Sequence, residues 1–91
     1  MIKIIILSPF GVVYDSNTEH IMLPGAIGRF SVFPRHAPLV STLVKGDIVC
    51  YAQNGEKTVF TINNGFVEVK DDRATVCVEL FDNQNNDYNH A

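Results

Sequence analysis

The sequence predicts an all-β fold, a sandwich of two roughly five-stranded sheets that together make a flattened β-barrel. Three observations carry that expectation. Apolar residues recur with a period of two, as in EKTVFTI (Glu56–Ile62), FVEV (Phe66–Val69) and ATVCVEL (Ala74–Leu80). That spacing sends successive side chains to opposite faces of a strand. The same runs are rich in β-branched and aromatic residues, which suit a pleated surface. Gly, Asn and Asp punctuate them at short intervals, and no stretch carries the apolar stripe of a helix.

Taken in order, nine strands are expected. MIKIIILSPF opens the chain with a buried first strand, Ile2–Leu7. Its apolar run is far shorter than the roughly 20 residues of a membrane span, and it lacks the parts of a signal peptide. Gly11–Tyr14, Thr18–Leu23 and Gly28–Phe33 follow, with Pro24-Gly25 turning the chain between the last two. Lys45-Gly46-Asp47 separates Leu39–Val44 from Ile48–Gln53. Asn54-Gly55 then predicts a two-residue hairpin turn, because both residues tolerate positive φ. Lys57–Ile62 is expected to turn at Asn63-Asn64-Gly65 into Phe66–Lys70, and Asp71-Asp72 leads into Ala74–Leu80. These elements make residues 1–81 one domain. Residues 82–91 are almost wholly polar and read as a disordered tail.

Composition excludes some functions. Ninety-one residues suffice for one domain, with 46% hydrophobic and 19% charged residues and a net charge of −3. The seven Lys and Arg residues are scattered, so the basic stripe of a nucleic-acid binder is missing. Cys50 and Cys77 sit within apolar runs without a CxxC or Cys–His spacing. They read as buried free thiols, and no metal site or cofactor is expected. Asp71-Asp72 with Asp82 and Asp87 matches no calcium loop.

One segment departs from the strand pattern. GRFSVFPRHAPLVSTL (Gly28–Leu43) carries two arginines, one histidine and two prolines. Pro34 and Pro38 restrict Phe33 and Ala37 to extended conformations, so the segment reads as a stiff connection at a sheet edge. A stiff loop presenting Arg29, Phe30, Arg35 and His36 loses little entropy on docking. His36 as a catalytic base would need a nucleophile such as Ser31 or Ser41 and an acidic orienter, and no Asp or Glu lies between Glu19 and Asp47. A structural or interface histidine is the expected role. His20 is read as pointing outward from its strand, and His90 falls in the tail.

The order VVYD (Val12–Asp15), LPGAIGRFSVFPRHAPLVSTLVKGDI (Leu23–Ile48), NNGFVEV (Asn63–Val69) and ATVCVEL resembles the epsilon subunits of F-type ATP synthases. The likeness is to their N-terminal β-sandwich domain and covers Met1 to Leu80. Its most specific part is G-x-F-x-V-x-P-x-H-A-P-L. The resemblance implies a non-catalytic rotor part of the central stalk, linking a gamma subunit to the c-ring and coupling proton translocation to ATP synthesis. It implies a peripheral place on the cytoplasmic side of a bacterial inner membrane, with no insertion. By position, the gamma- and ring-facing surface includes Ser8, His36, Ser41 and Asn63. The resemblance implies a ring-contact loop of Gly28, Arg29, Phe30 and Arg35.

Two departures accompany the resemblance. Many relatives carry an acidic residue where Arg29 stands and a glycine where Arg35 stands. A reversed charge at Arg29 requires a matching change on the ring loop. The family also adds a C-terminal helical hairpin that inhibits hydrolysis and in some members binds ATP. FDNQNNDYNHA shows no such helix, so ATP binding is not expected. Its composition leans toward a natural short form over a chain cut at the domain boundary. The residues alone leave two other readings open: a free-standing sandwich that binds a small ligand, and a small hydrolase built on His36.

Overall fold

A computed structural model of the chain describes residues 1–80, which form eight strands and no helix. They are β1 (Ile2–Ser8), β2 (Gly11–Thr18), β3 (His20–Pro24), β4 (Arg29–Val32), β5 (Leu39–Leu43), β6 (Gly46–Tyr51), β7 (Lys57–Lys70) and β8 (Arg73–Leu80). The tail expected at 82–91 lies outside the described residues.

Two of the turns read from the sequence differ in the structure, and the one at Asp71-Asp72 is found as read. Asn63-Asn64-Gly65 does not turn. The chain runs through it as one 14-residue strand, β7, with a bulge between Ile62 and Asn64. Neighbours on both edges override the weak strand preference of Asn and Gly: Gly65 pairs with Leu43 on one side and Val78 on the other. Gly is required there, because a Cβ would collide with the carbonyl oxygen of Cys77. Asn54-Gly55 belongs to a three-residue loop, not a two-residue turn. Gly55 N–H donates to Ala52 O at 3.0 Å, Ala52 N–H donates to Glu56 O at 2.8 Å, and Gly55 has φ 91°. The tight two-residue turn is Asp71-Asp72, closed by the Lys70–Arg73 pair. Asp71 (φ 54°) and Asp72 (φ 60°) are both left-handed, as a type I′ turn demands.

The strand order is β2-β1-β8-β7-β6-β3-β4, with β5 on the second half of β7. Long β7 therefore serves two layers. Its first half pairs with β6 and leads on to β3 and β4. Its second half lies between β5 and β8, and leads on to β1 and β2. The layers hold five and four strands, and the ladder is open, ending at β2 and β4, so it does not close into a barrel. Only β1 and β8 run parallel. Near the β3–β4 turn the layers are tied by Val44 N–H to Pro24 O (2.9 Å) and Ala26 N–H to Thr42 O (3.0 Å).

The core fills the space between these layers. Ile2, Ile4 and Ile6 of β1 alternate with half-buried neighbours and pack with Val67, Val69, Val76 and Leu43. The four-stranded layer contributes Ile21, Leu23, Val32, Ile48 and Cys50. Each fully buried aliphatic side chain stabilises by about 1.5–3 kcal/mol. The Tyr14 and Phe60 rings meet at 5.0 Å, beside this core. Among the described residues Thr18 is the buried polar one, and its hydroxyl donates to Ile2 O at 2.9 Å.

Both thiols are free, as the sequence suggested. Cys77 is half-buried, while burial pushes the Cys50 thiol from 9.0 up to about 12. A group raised in this way supports the fold fully below pH 9, and that support is lost as pH climbs from 9 to 12. Cys50→Ala should therefore lose stability less steeply with pH above 9 than the parent chain, as read from urea midpoints on either side of that pH. Equal slopes would show that Cys50 does not stay neutral on folding.

Candidate functional site

The stiff segment predicted from the two prolines is the connection from β4 to β5, the step between the layers. Its first residue, Phe33, stacks on the His20 ring (centroids 4.8 Å apart, 19° between planes). His20 in turn stacks on Tyr51 at 4.2 Å and 10°. His20 is thus half-buried in an aromatic stack across β6, β3 and the end of β4, rather than pointing freely outward. Arg35 follows with φ 64°, a left-handed conformation costing a non-glycine residue about 1–2 kcal/mol. Its N–H donates to Asp72 Oδ1 at 2.6 Å. His36 Nδ1 lies 2.7 Å from Ala37 O, and a carbonyl only accepts, so Nδ1 carries a proton in this contact.

His36 and Ser41 are not bonded to one another. The Ser41 hydroxyl donates to Thr42 O at 3.1 Å, so each of the two bonds to a neighbouring carbonyl. Among the described residues no group of three or more His, Cys, Asp or Glu gathers to hold a metal ion.

A second surface forms around the β3–β4 turn. Gly28 N–H donates to Gly25 O at 3.1 Å, leaving Ile27 fully exposed at the tip. The Phe30 ring lies so close over Gly25 that a Cβ there would stand 2.8 Å from it. Gly28, Arg29, Phe30 and Ser41 line one shallow groove of about 450 Å³. Ser8 stands at the β1–β2 turn, where its Oγ accepts from Phe10 N–H at 3.1 Å. It lines another groove, of about 510 Å³, with Leu7, Phe66, Cys77 and Asn64.

The outer face of the five-stranded layer joins these places. Register puts Val12 beside Leu7, Leu7 beside Cys77, Cys77 beside Phe66, and Phe66 beside Thr42. This is an apolar band across β2, β1, β8 and β7 that ends against Thr42 of β5, with Phe66 52% exposed. No single stretch of the sequence marks it. Each residue falls on the solvent side of an alternating run, and only the pairing register brings them side by side.

Residues 1–83 match the family model described as the ATP synthase delta/epsilon chain β-sandwich domain. The chain belongs to this family. It is 38% identical over 79 residues to the ATP synthase epsilon chain of Sulfurovum sp. (strain NBC37-1), a match covering 87% of this chain and 62% of that one. With the epsilon chain of Geobacter sulfurreducens it shares 35% over 78 residues, covering 86% and 56%. The chain thus spans about three-fifths of the length of these relatives. Its fold is also that of a chain in the Euglena gracilis mitochondrial ATP synthase (TM-score 0.80, 19% identity, 85% of this chain and 49% of that one). A chain of the Tetrahymena thermophila mitochondrial ATP synthase central stalk and c-ring gives a TM-score of 0.69 at 15% identity, covering 97% and 71%.

The epsilon-type positions singled out in the sequence fall into two groups. Ser8, Asn63 and the Gly28–Phe30 turn lie toward one end of the sandwich, where Gly25 bridges Leu43 and Leu43 pairs with Gly65. Arg35 and His36 lie at the other end, beside the Asp71-Asp72 turn. Arg35 is therefore separated from Arg29 by the length of β4. Along β7 the two ends are about 17 Å apart, five residues at about 3.3 Å each. Ser41 lies between them, opposite Val67.

Proposed function

We propose that this epsilon-type sandwich is a non-catalytic rotor part of an F-type ATP synthase, which holds a gamma-type subunit and meets the c-ring. The observation that carries the reading is the apolar band through Leu7, Cys77 and Phe66, with Ser8 beside it and the His36 loop at the opposite end of the sandwich. A band rimmed by polar residues marks a protein-binding face. The gamma-type subunit lies along that outer face. The Gly28–Phe30 turn, with Ile27 at its tip, faces the c-ring, and Arg29 there calls for an acidic ring loop. Family membership and epsilon-chain relatives support the rotor reading. As a rotor part it would sit peripherally on the cytoplasmic side of a bacterial membrane, and no helix among the described residues is long and apolar enough to cross one. No nucleotide site is assigned to the sandwich.

His36→Glu tests the gamma-type contact. Its ring bonds only to the adjacent Ala37 carbonyl in the described contacts, so the fold should survive, with an unchanged thermal transition. Affinity for the gamma subunit of the same enzyme should fall at least about tenfold, because a charge left unpaired at an interface costs affinity. Unchanged affinity would show that the interface lies away from this end of the sandwich.

A further inference from the structure

We propose that Asp72 is the positioning residue for the Arg35–His36 loop: its carboxylate latches Arg35 in a left-handed conformation and so sets how the loop faces a partner. The binding part of this inference rests on the function proposed above, while the latch stands on geometry alone.

Among the described residues the non-glycine residues with positive φ are Arg35, Asp71 and Asp72. They come together at one point, although Arg35 and Asp72 are 37 positions apart. For the two aspartates the tight turn explains the conformation, since type I′ demands it and Asp tolerates it. Arg35 has no such local reason. Arginine has no short polar side chain to bond its own backbone, and the flanking prolines favour extended chain at Phe33 and Ala37. What compensates is the 2.6 Å hydrogen bond from Arg35 N–H to Asp72 Oδ1. A carboxylate acceptor at this distance is in the strong, charge-assisted range.

The acceptor is itself held. The Asp72 carbonyl accepts from Lys3 N–H at 2.9 Å, fixing the β7–β8 turn against the start of β1. At the other side of the loop, Phe33 is stacked on His20. The loop is thus pinned at Phe33, at Arg35 and at β5, and Arg35 is its one left-handed joint. Reversal of φ at that joint would turn His36 away from its present face. Strain held in place by a distant group is a known feature of sites where geometry matters.

The test uses the full chain with its gamma subunit. Asp72→Gly keeps the turn, because glycine accepts positive φ, and removes only the carboxylate. Exchange protection of the Arg35 amide should fall about tenfold, as expected for a lost hydrogen bond to a charged acceptor. Affinity for gamma should fall with it, and Asp72→Asn, which restores an oxygen acceptor, should recover most of both. Arg35→Gly should not rescue affinity in the Asp72→Gly background, since glycine permits the left-handed joint without holding it. Unchanged Arg35 protection in Asp72→Gly would overturn the latch. Lost protection with unchanged affinity would uphold the latch and overturn the placement of the partner on this loop.

Discussion

Gly65→Ala is expected to lower the stability of the chain by about 3 kcal/mol, the upper range for forcing atoms into a packed site. A Cβ at this position would strike the Cys77 carbonyl oxygen and come within 3.1 Å of Val78 Cα and 3.3 Å of Cys77 C. These are backbone atoms of β8, which is bonded to β1 on its far side, so they have little room to yield. Gly65 cannot shift the other way either, because Leu43 of β5 pairs with it there. Urea denaturation of the variant checks the value. A loss below about 1 kcal/mol, the size of an ordinary surface effect, would mean that β7 does not pass this close to β8.

The same residue shows where reading the sequence stops. Asn63-Asn64-Gly65 and Asp71-Asp72 both read as turns, and the structure turns only at the second. Local chemistry allowed both outcomes. Pairing with β5 and β8, strands far apart in the sequence, decided the first. Period two was enough to identify the core face, and Ile4, Val67 and Val76 are buried as the alternation requires. It could not show that β7 serves both layers, which leaves four strands in one of them, because that depends on register.

The site divides along the same line. The prolines made the stiffness of Phe33–Pro38 legible, and the motif around it pointed to a docking segment. The positive φ at Arg35 was hidden, because the group that sustains it, Asp72, lies on another hairpin. The apolar band was hidden for a related reason. Leu7, Phe66 and Cys77 are unremarkable one by one and become a surface only when the parallel β1–β8 pair and the β7–β8 hairpin set them side by side.

Phe66→Ala should raise the dissociation constant for the gamma subunit about thirtyfold, or about 2 kcal/mol, the size of an aromatic hot spot near the centre of an interface. The ring stands between Cys77 and Thr42 and is the large aromatic of the band. It is 52% exposed in the free chain, so its removal opens no core cavity, and thermal stability should change by less than about 1 kcal/mol. Val40, on the same face, is 74% exposed and belongs to the rim, where truncation costs little. Titration of gamma against the variant decides the matter, and wild-type affinity would remove the outer face of the five-stranded layer as the docking surface. Combination with His36→Glu measures the extent of the contact. The two positions lie on different elements toward different ends of the layer, beyond the roughly 7–10 Å within which substitutions couple directly. Additive losses therefore require a partner lying along the whole layer. A loss from Phe66 alone would confine the partner to the Ser8 end and leave the His36 loop outside the contact.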